Sequence, residues 1–171
     1  MSDNEQQAKF ERVVMPHLDA AYNLARWLAG NDHDAQDIAQ EACMRAFRFV
    51  AACHSSDGRA WLLTIVRNTA FSWLKKNRPA AVISIDDDEF AEMEDQSAAT
   101  GAVRGADTAA LRAALEALPL EFREALVMRE MEGLSYKEIA EVADVPIGTV
   151  MSRLARARQH LQGALNRKEK A

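Results

Sequence analysis

Cysteine is nearly absent from the chain: 171 residues contain two, Cys43 and Cys53, ten positions apart and without a CxxC partner. That excludes a disulfide scaffold, predicts no zinc site, and fits a reducing, cytoplasmic compartment. No apolar run approaches the ~20 residues of a membrane span, so direct insertion into a bilayer is not expected. The first residues, MSDNEQQAKFE, lack a basic head followed by an apolar stretch, and no secretory signal is expected. An excess of positive charge is missing too. Lys and Arg total 21 against 26 Asp and Glu, a formal net charge of −5. Uniform coating of a polyanion is thereby excluded, whereas binding through local basic patches is not. No β-strand signal competes with the helical periodicities, the VISI run at 82–85 being short and isolated.

What is present is 49% apolar composition, enough for a core, and a charge distribution that divides the chain in three. Residues 1–80 carry ten basic and nine acidic side chains, and residues 108–171 the same numbers. Residues 81–107 carry one basic and eight acidic, so the negative excess sits in the middle. That segment is rich in Ala, Gly, Ser and Thr and reads as an acidic flexible linker, with boundaries near Pro79 and Asp107.

Within residues 1–80, apolar positions from Phe10 to Leu28 recur at three and four, predicting a helix over about 9–29 that Pro16 bends or restarts. Gly30 and Asn31 end it, and Asn31 or Asp32 caps a second helix that runs to about Ala52. A polar break, Cys53 to Gly58, precedes a third helix over 59–76. Within 108–171, a short helix ends near Leu118, and a second runs from Pro119 to about 131 and stops at Gly133. Ser135 and Glu138 match a capping box that starts a third helix, and Asp144 and Val145 form a tight turn. Pro146 opens a last helix that turns Val150, Leu154, Ala157 and Leu161 inward. The fold class is therefore all-α: two small helical domains, the second of four helices with a helix-turn-helix.

Two helices are basic. From Ile147 onward there are six basic residues and one acidic, and Thr149, Ser152, Arg153, Arg156 and Arg158 are predicted to face solvent, where arginines can reach base edges and phosphates. From Arg59 to Pro79 there are five basic residues and no acid, interleaved with Trp61, Phe71 and Trp73. Aromatics that stack on bases beside cations that neutralise phosphate suit single-stranded nucleic acid. Trp61 is expected in the core and Trp73 to be the more exposed. Catalysis is not expected. Asp32, Asp34, Asp37 and Glu41 could supply carboxylates to a divalent metal, but no histidine–acid pair or third segment completes a site, and neither metal nor cofactor is predicted. Buried Cys43 is expected as a small core residue.

Three segments together carry a resemblance. DAQDIAQEACMRAF (34–47), RAWLLTIVRNTAFSWLKK (59–76) and LPLEFREALVMREMEGLSYKEIAEVADVPIGTVMSRLARARQHL (118–161) are similar, in this order, to the bacterial RNA polymerase sigma factors of the extracytoplasmic-function type. The resemblance implies an alternative sigma factor, active in stress responses. It would bind core RNA polymerase and promoter DNA, with an anti-sigma factor as further partner and no small-molecule substrate. It implies polymerase contacts at Asp37, Gln40 and Glu41. For the −10 strand it implies the loop Cys53, His54, Ser55, Ser56, Asp57 and Gly58, with Arg59, Asn68, Trp73 and Lys75 on or beside the following helix. For the −35 duplex it implies Met151, Ser152, Arg153, Ala155, Arg156 and Arg158. Met151 and Ala155 depart from the longer or more polar residues usual in relatives. Two other readings of the residues stay open here: a helix-turn-helix regulator that needs no polymerase contact, and a metal-dependent nuclease built on the acidic helix. The basic aromatic helix favours the first reading over a plain regulator, which has no use for a single-strand reader.

Overall fold

The structure, a computed structural model, describes residues 1–54, 57–82 and 108–169, the side chains of the last two excepted. The expected linker lies outside the described residues apart from Ala81 and Val82. All regular elements among the described residues are helical, in an N-terminal and a C-terminal group.

The first group contains four helices. Helix α1, Asp3–Val13, starts where the Ser2 hydroxyl accepts the Glu5 N–H. The single helix predicted over 9–29 is thus two. Pro16 cannot donate a backbone bond, and the chain passes through a 3₁₀ turn, Met15–His17, before α2, Leu18–Ala29, begins. Helix α2 buries Ala21, Leu24, Ala25 and Leu28, one stripe at helical spacing, and ends on Gly30, whose φ of +87° is the left-handed stop expected from sequence. Asn31 caps α3, Asp32–Phe49, by accepting the Asp34 N–H at 2.9 Å. Helix α3 buries Ala35, Ile38, Ala42 and Ala46, and the three alanines let α2 and α4 approach closely. A 3₁₀ turn, Val50–Ala52, follows.

Gly58 is required at the entry to α4, Arg59–Asn77. A Cβ there would lie 2.1 Å from the Val13 carbonyl oxygen, a backbone atom that cannot move aside. Helix α4 buries Leu62, Leu63, Val66, Thr69, Ala70 and Leu74. Neighbours such as Leu62 and Leu63 point about 100° apart on a helix, so α4 is apolar around much of its circumference, as a helix covered on two sides must be.

The second group begins with α5, Thr108–Ala117, which buries Ala114 and Leu115. Pro119 precedes α6, Leu120–Leu126, which continues into a π turn, Val127–Met131. The Glu132 N–H reaches back to the Val127 carbonyl and the Leu134 N–H to that of Met128, with Gly133 at φ +66° as the expected stop. Helix α7, Tyr136–Ala143, opens on the full capping box: Ser135 Oγ accepts the Glu138 N–H, and a Glu138 carboxylate oxygen accepts the Ser135 N–H. Asp144, at φ +55°, makes the turn to α8, Ile147–Glu169, which buries Val150, Leu154, Ala157 and Leu161 as predicted.

The two groups are packed against each other. Helix α7 lies on α4, and α6 on α2. The one buried carboxylate among the described residues, Glu124 of α6, sits at this junction at 1% exposure.

Candidate polymerase and nucleic-acid interface

Three surfaces hold the residues singled out from sequence. On α3, Asp37, Gln40 and Glu41 are all exposed, with Glu41 at the edge that faces Thr69, Ser72 and Trp73 of α4. Asp37 is 54% exposed and 3.8 Å from His33, and Glu41 bonds Arg45 one turn on at 2.8 Å. Exposed pairs of this kind are worth about 0–1 kcal/mol, so the carboxylates stand ready to exchange partners. The stripe continues through two residues the sequence reading passed over, Met44 at 62% exposure and Phe47. They line an open groove of about 620 Å³ between α1 and α3, where Phe47 meets the edge of Phe10 with ring centroids 5.4 Å apart. The signal was in the sequence: positions 37, 40, 44 and 47 form one helical stripe that begins acidic and ends apolar.

The carboxylates named for a metal are mostly paired with other side chains, and the histidine–acid pair not expected from sequence is present, His33 Nε2 lying 3.8 Å from Asp37. Asp32 bonds Arg26, Asp34 lies 3.4 Å from Arg78 and accepts from Asn31 Nδ2 at 2.8 Å, and Glu41 bonds Arg45. Among the described residues, His33, Asp34 and Asp37 alone bring potential ligand atoms within 4.8 Å of one another, the first and last exposed and Asp34 half-buried.

The loop before α4 is divided. Ser55 and Ser56 lie outside the described residues. The Cys53 side chain is buried, and its carbonyl accepts from Lys9 Nζ at 2.7 Å. His54 is exposed. Asp57 Oδ1 accepts the Arg59 N–H and pairs with His17 Nε2 at 2.8 Å, and Gly58 is held against Val13. Of the four described loop positions, then, two, Cys53 and Gly58, are packed inside. Cys43, expected as a buried core residue, is only half-buried at the rim of the α1–α3 groove, and what burial it has raises its thiol pKa.

On α4, Asn68 and Lys75 are exposed, while Trp61 and Trp73 are both half-buried against the core, so the expected contrast between them is small. The Arg78 guanidinium stands over the Trp73 ring, 5.6 Å from its centroid. The arginines at the front of α4 already have partners in the other group. Arg59 Nη1 donates to the Glu132 carbonyl at 2.8 Å. Arg67 forks onto Glu124, Nε to Oε2 at 2.9 Å and Nη2 to Oε1 at 3.3 Å, and stacks on Phe71 with its carbon 3.8 Å from the ring centroid. Burial pushes the Glu124 carboxyl up, while Arg67, and then Arg153, pull it back toward the charged form. Removing one partner of a buried pair costs roughly 3–5 kcal/mol, because the other charge is left uncompensated. Sequence reasoning missed this pair, whose members stand 57 positions apart.

On α8, Met151 is exposed, and Ser152, Ala155 and Arg156 are half-buried along the same side. Arg153 does not face solvent as expected. It is 12% exposed and bonds Glu121 at 3.0 Å, because the first turn of α6 lies beside it. Arg158 bonds Glu130 at 2.8 Å.

Comparison with known proteins fits this arrangement. Residues 13–79 match the model of sigma-70 region 2, and residues 108–161 that of sigma-70 region 4. The chain belongs to the sigma-70 family. It falls in the extracytoplasmic-function branch: it is 35% identical over 167 residues to the ECF RNA polymerase sigma factor SigE of Mycolicibacterium smegmatis, covering 95% of this chain and 64% of that protein. It is 33% identical to the RNA polymerase sigma-H factor of Pseudomonas aeruginosa, covering 91% of this chain and 86% of that one. Among solved structures it is similar to the sigma factor RpoE of Bartonella quintana, crystallised in complex with the anti-sigma factor NepR. There the TM-score is 0.69 at 28% identity, over 90% of this chain and 94% of that one. Among the described residues, no helix is long and apolar enough to cross a membrane.

Proposed function

We propose that this protein binds core RNA polymerase and directs it to specific promoters as an alternative sigma factor in the cytoplasm. The observation that carries the reading is the ordered match of a region 2 and a region 4 in one chain, with an outward acidic stripe on the helix between the first cap and the strand-reading segment. Asp37, Gln40 and Glu41 are the polymerase contacts; acids on an exposed helix face suit a basic partner surface. The loop 53–58 and α4 read the non-template strand of the −10 element, with Arg59, Asn68, Trp73 and Lys75 supplying polar, stacking and phosphate contacts. Helices α7 and α8, with the tight turn at Asp144, are the helix-turn-helix that reads the −35 duplex. On α8, Ser152 and Arg156 meet base edges, Met151 and Ala155 touch a thymine methyl, and Arg158 serves a phosphate, whereas Arg153, held by Glu121, is left out of the contact set.

An anti-sigma factor is the expected inhibitor, a partnership supported by the complex in which the similar RpoE was solved. In vitro transcription with core polymerase tests the whole reading: adding this protein should yield transcripts from a small set of promoters and none without it. A chain that leaves core polymerase unprogrammed, or that selects promoters without binding core, overturns it.

A further inference from the structure

Helix α1 and the turn that follows it touch both ends of the loop given to the −10 strand. Lys9 Nζ donates to the Cys53 carbonyl at 2.7 Å and to that of Ala51 at 3.4 Å. Those oxygens lie in and just after the 3₁₀ turn that ends α3, where a helix runs out of backbone partners and a cation is the fitting donor. One turn earlier on α1, Gln6 Nε2 donates to the Phe47 carbonyl at 2.7 Å. At the far end of the loop, Gly58 lies against the carbonyl of Val13, the last residue of α1, too close for any Cβ. His17, in the 3₁₀ turn that follows, pairs through Nε2 with Asp57 Oδ1 at 2.8 Å. The same oxygen accepts the Arg59 N–H, the first of α4, at 3.1 Å. The side chains of Lys9 and His17 are both half-buried.

Resting on the −10 role given to this loop above, we propose that Lys9 and His17 are positioning residues for −10 recognition: without touching DNA, they fix the two ends of the loop and so sharpen its choice of base. One ammonium shared by two carbonyls sets the direction in which the chain leaves the 3₁₀ turn. His17 holds the carboxylate that receives the first N–H of α4, so the loop rejoins that helix at a set point. Both ends are thereby referred to one rigid element. A base is told from its competitors only by donors and acceptors held to within about 0.5 Å, whereas a phosphate contact carries no sequence information and tolerates a shift. A loop freed at either end would still meet the strand but would rank bases less sharply. Lys9 precedes residue 13, where the match to region 2 begins, so part of this brace lies outside the segment by which the family is recognised.

The test uses the full chain with core polymerase and a promoter pool randomised separately at the −10 and −35 positions, read by counting transcripts from each sequence. Lys9→Met keeps the apolar stem and removes the donors, and His17→Phe keeps a ring and removes Nε2. Each should flatten the −10 ranking by roughly fivefold, the low end of what one good base contact supplies. The −35 ranking and the affinity for core polymerase should stay those of the wild type. Lys9→Arg and His17→Gln, which return a donor, should recover the −10 ranking. Amide exchange in the free chain supplies a DNA-free arm. Lys9→Met should speed exchange at Cys53 and His17→Phe at Arg59, each by roughly threefold or more, with the amides of α2 unchanged. An intact −10 ranking in both Lys9→Met and His17→Phe overturns the proposal. So does an equal loss in the −35 ranking or in core affinity, which would make the two residues supports of the whole fold. A wild-type chain that ranks no −10 sequence fails the sigma-factor reading and takes the base-choice half of the proposal with it. The exchange arm still decides whether Lys9 and His17 hold the loop.

Discussion

The stripe of α3 proposed for polymerase and the sides of α4 and α8 proposed for DNA are built by opposite rules. On α3 the two carboxylates of the stripe are exposed and hold solvent-screened neighbours: Asp37 near His33, and Glu41 on Arg45. On α4 and α8 the arginines are held by glutamates, Arg67 by Glu124, Arg153 by Glu121 and Arg158 by Glu130. The difference teaches that a surface can be ready for a partner in two ways. An exposed acid needs only to shed water and a weak ion pair. A paired arginine must be released, which gives its intramolecular partner a vote in when binding occurs.

The largest effect should come from reversing the exposed stripe. Asp37→Lys with Glu41→Lys should abolish binding to core polymerase in a pull-down, while the scattering profile of the free chain stays that of the wild type. Retained core affinity would break the contrast at its first term.

Next comes Gly58→Ala. The added methyl meets the Val13 carbonyl, and overpacking against backbone costs about 3 kcal/mol. Amide exchange should accelerate in α1–α4 ahead of α5–α8. Uniform acceleration would mean that the two groups unfold as one unit.

On α8, Arg156→Ala should flatten the ranking of variant −35 duplexes, since a bidentate base contact discriminates by about 1–3 kcal/mol. Arg158→Ala should weaken all duplexes alike and lower the salt slope by roughly one unit. Glu130→Gln sharpens the comparison further. It frees Arg158 from its 2.8 Å partner and should raise affinity uniformly, with the ranking untouched. Titration of a duplex library at two salt concentrations reads all three.

Ser135→Ala removes half of the capping box at the start of α7 and should lower the stability of the C-terminal group by about 1 kcal/mol, measured in urea.

The smallest effect concerns His160. Burial, then Arg167, depress its pKa below the ordinary value, and its ring lies beside Phe122. A depressed histidine pKa means the unfolded chain takes up the proton first. Stability should therefore be unaffected well above about pH 6.5 and fall as pH drops below it. His160→Phe should remove that acid-side loss from a series of thermal melts.

Much of this molecule was legible locally. Gly30 and Gly133 as left-handed stops, Ser135 with Glu138 as a capping box, and the inward phase of Val150, Leu154, Ala157 and Leu161 all follow from residues a few positions apart, where helix geometry fixes the answer. Pro16 announced a break, but periodicity alone could not tell a bend from two helices, and the start of α1 at Ser2 lay before the apolar stripe began. The pairings Arg67–Glu124 and Arg153–Glu121 were not legible, because the charge pattern of a helix says which side is basic and nothing about which distant acid will fold against it. The clue to the junction was the apolar circumference of α4, which a one-sided helix does not need.

The π turn at Val127–Met131 makes chain length itself a specification. One wide turn places one more residue between α6 and α7 than a regular helix would use, and each residue in a helix accounts for about 100° of rotation. Deleting a single residue from 127–131 would close the turn to ordinary pitch and swing Glu130 off the line of Arg158. It would also displace Arg129, which now donates to the Leu134 carbonyl and lies over the Tyr136 ring. Aim here is a matter of counting: the Glu130–Arg158 pairing should survive side-chain substitutions that preserve the apolar positions, and should be lost through the shortest possible deletion.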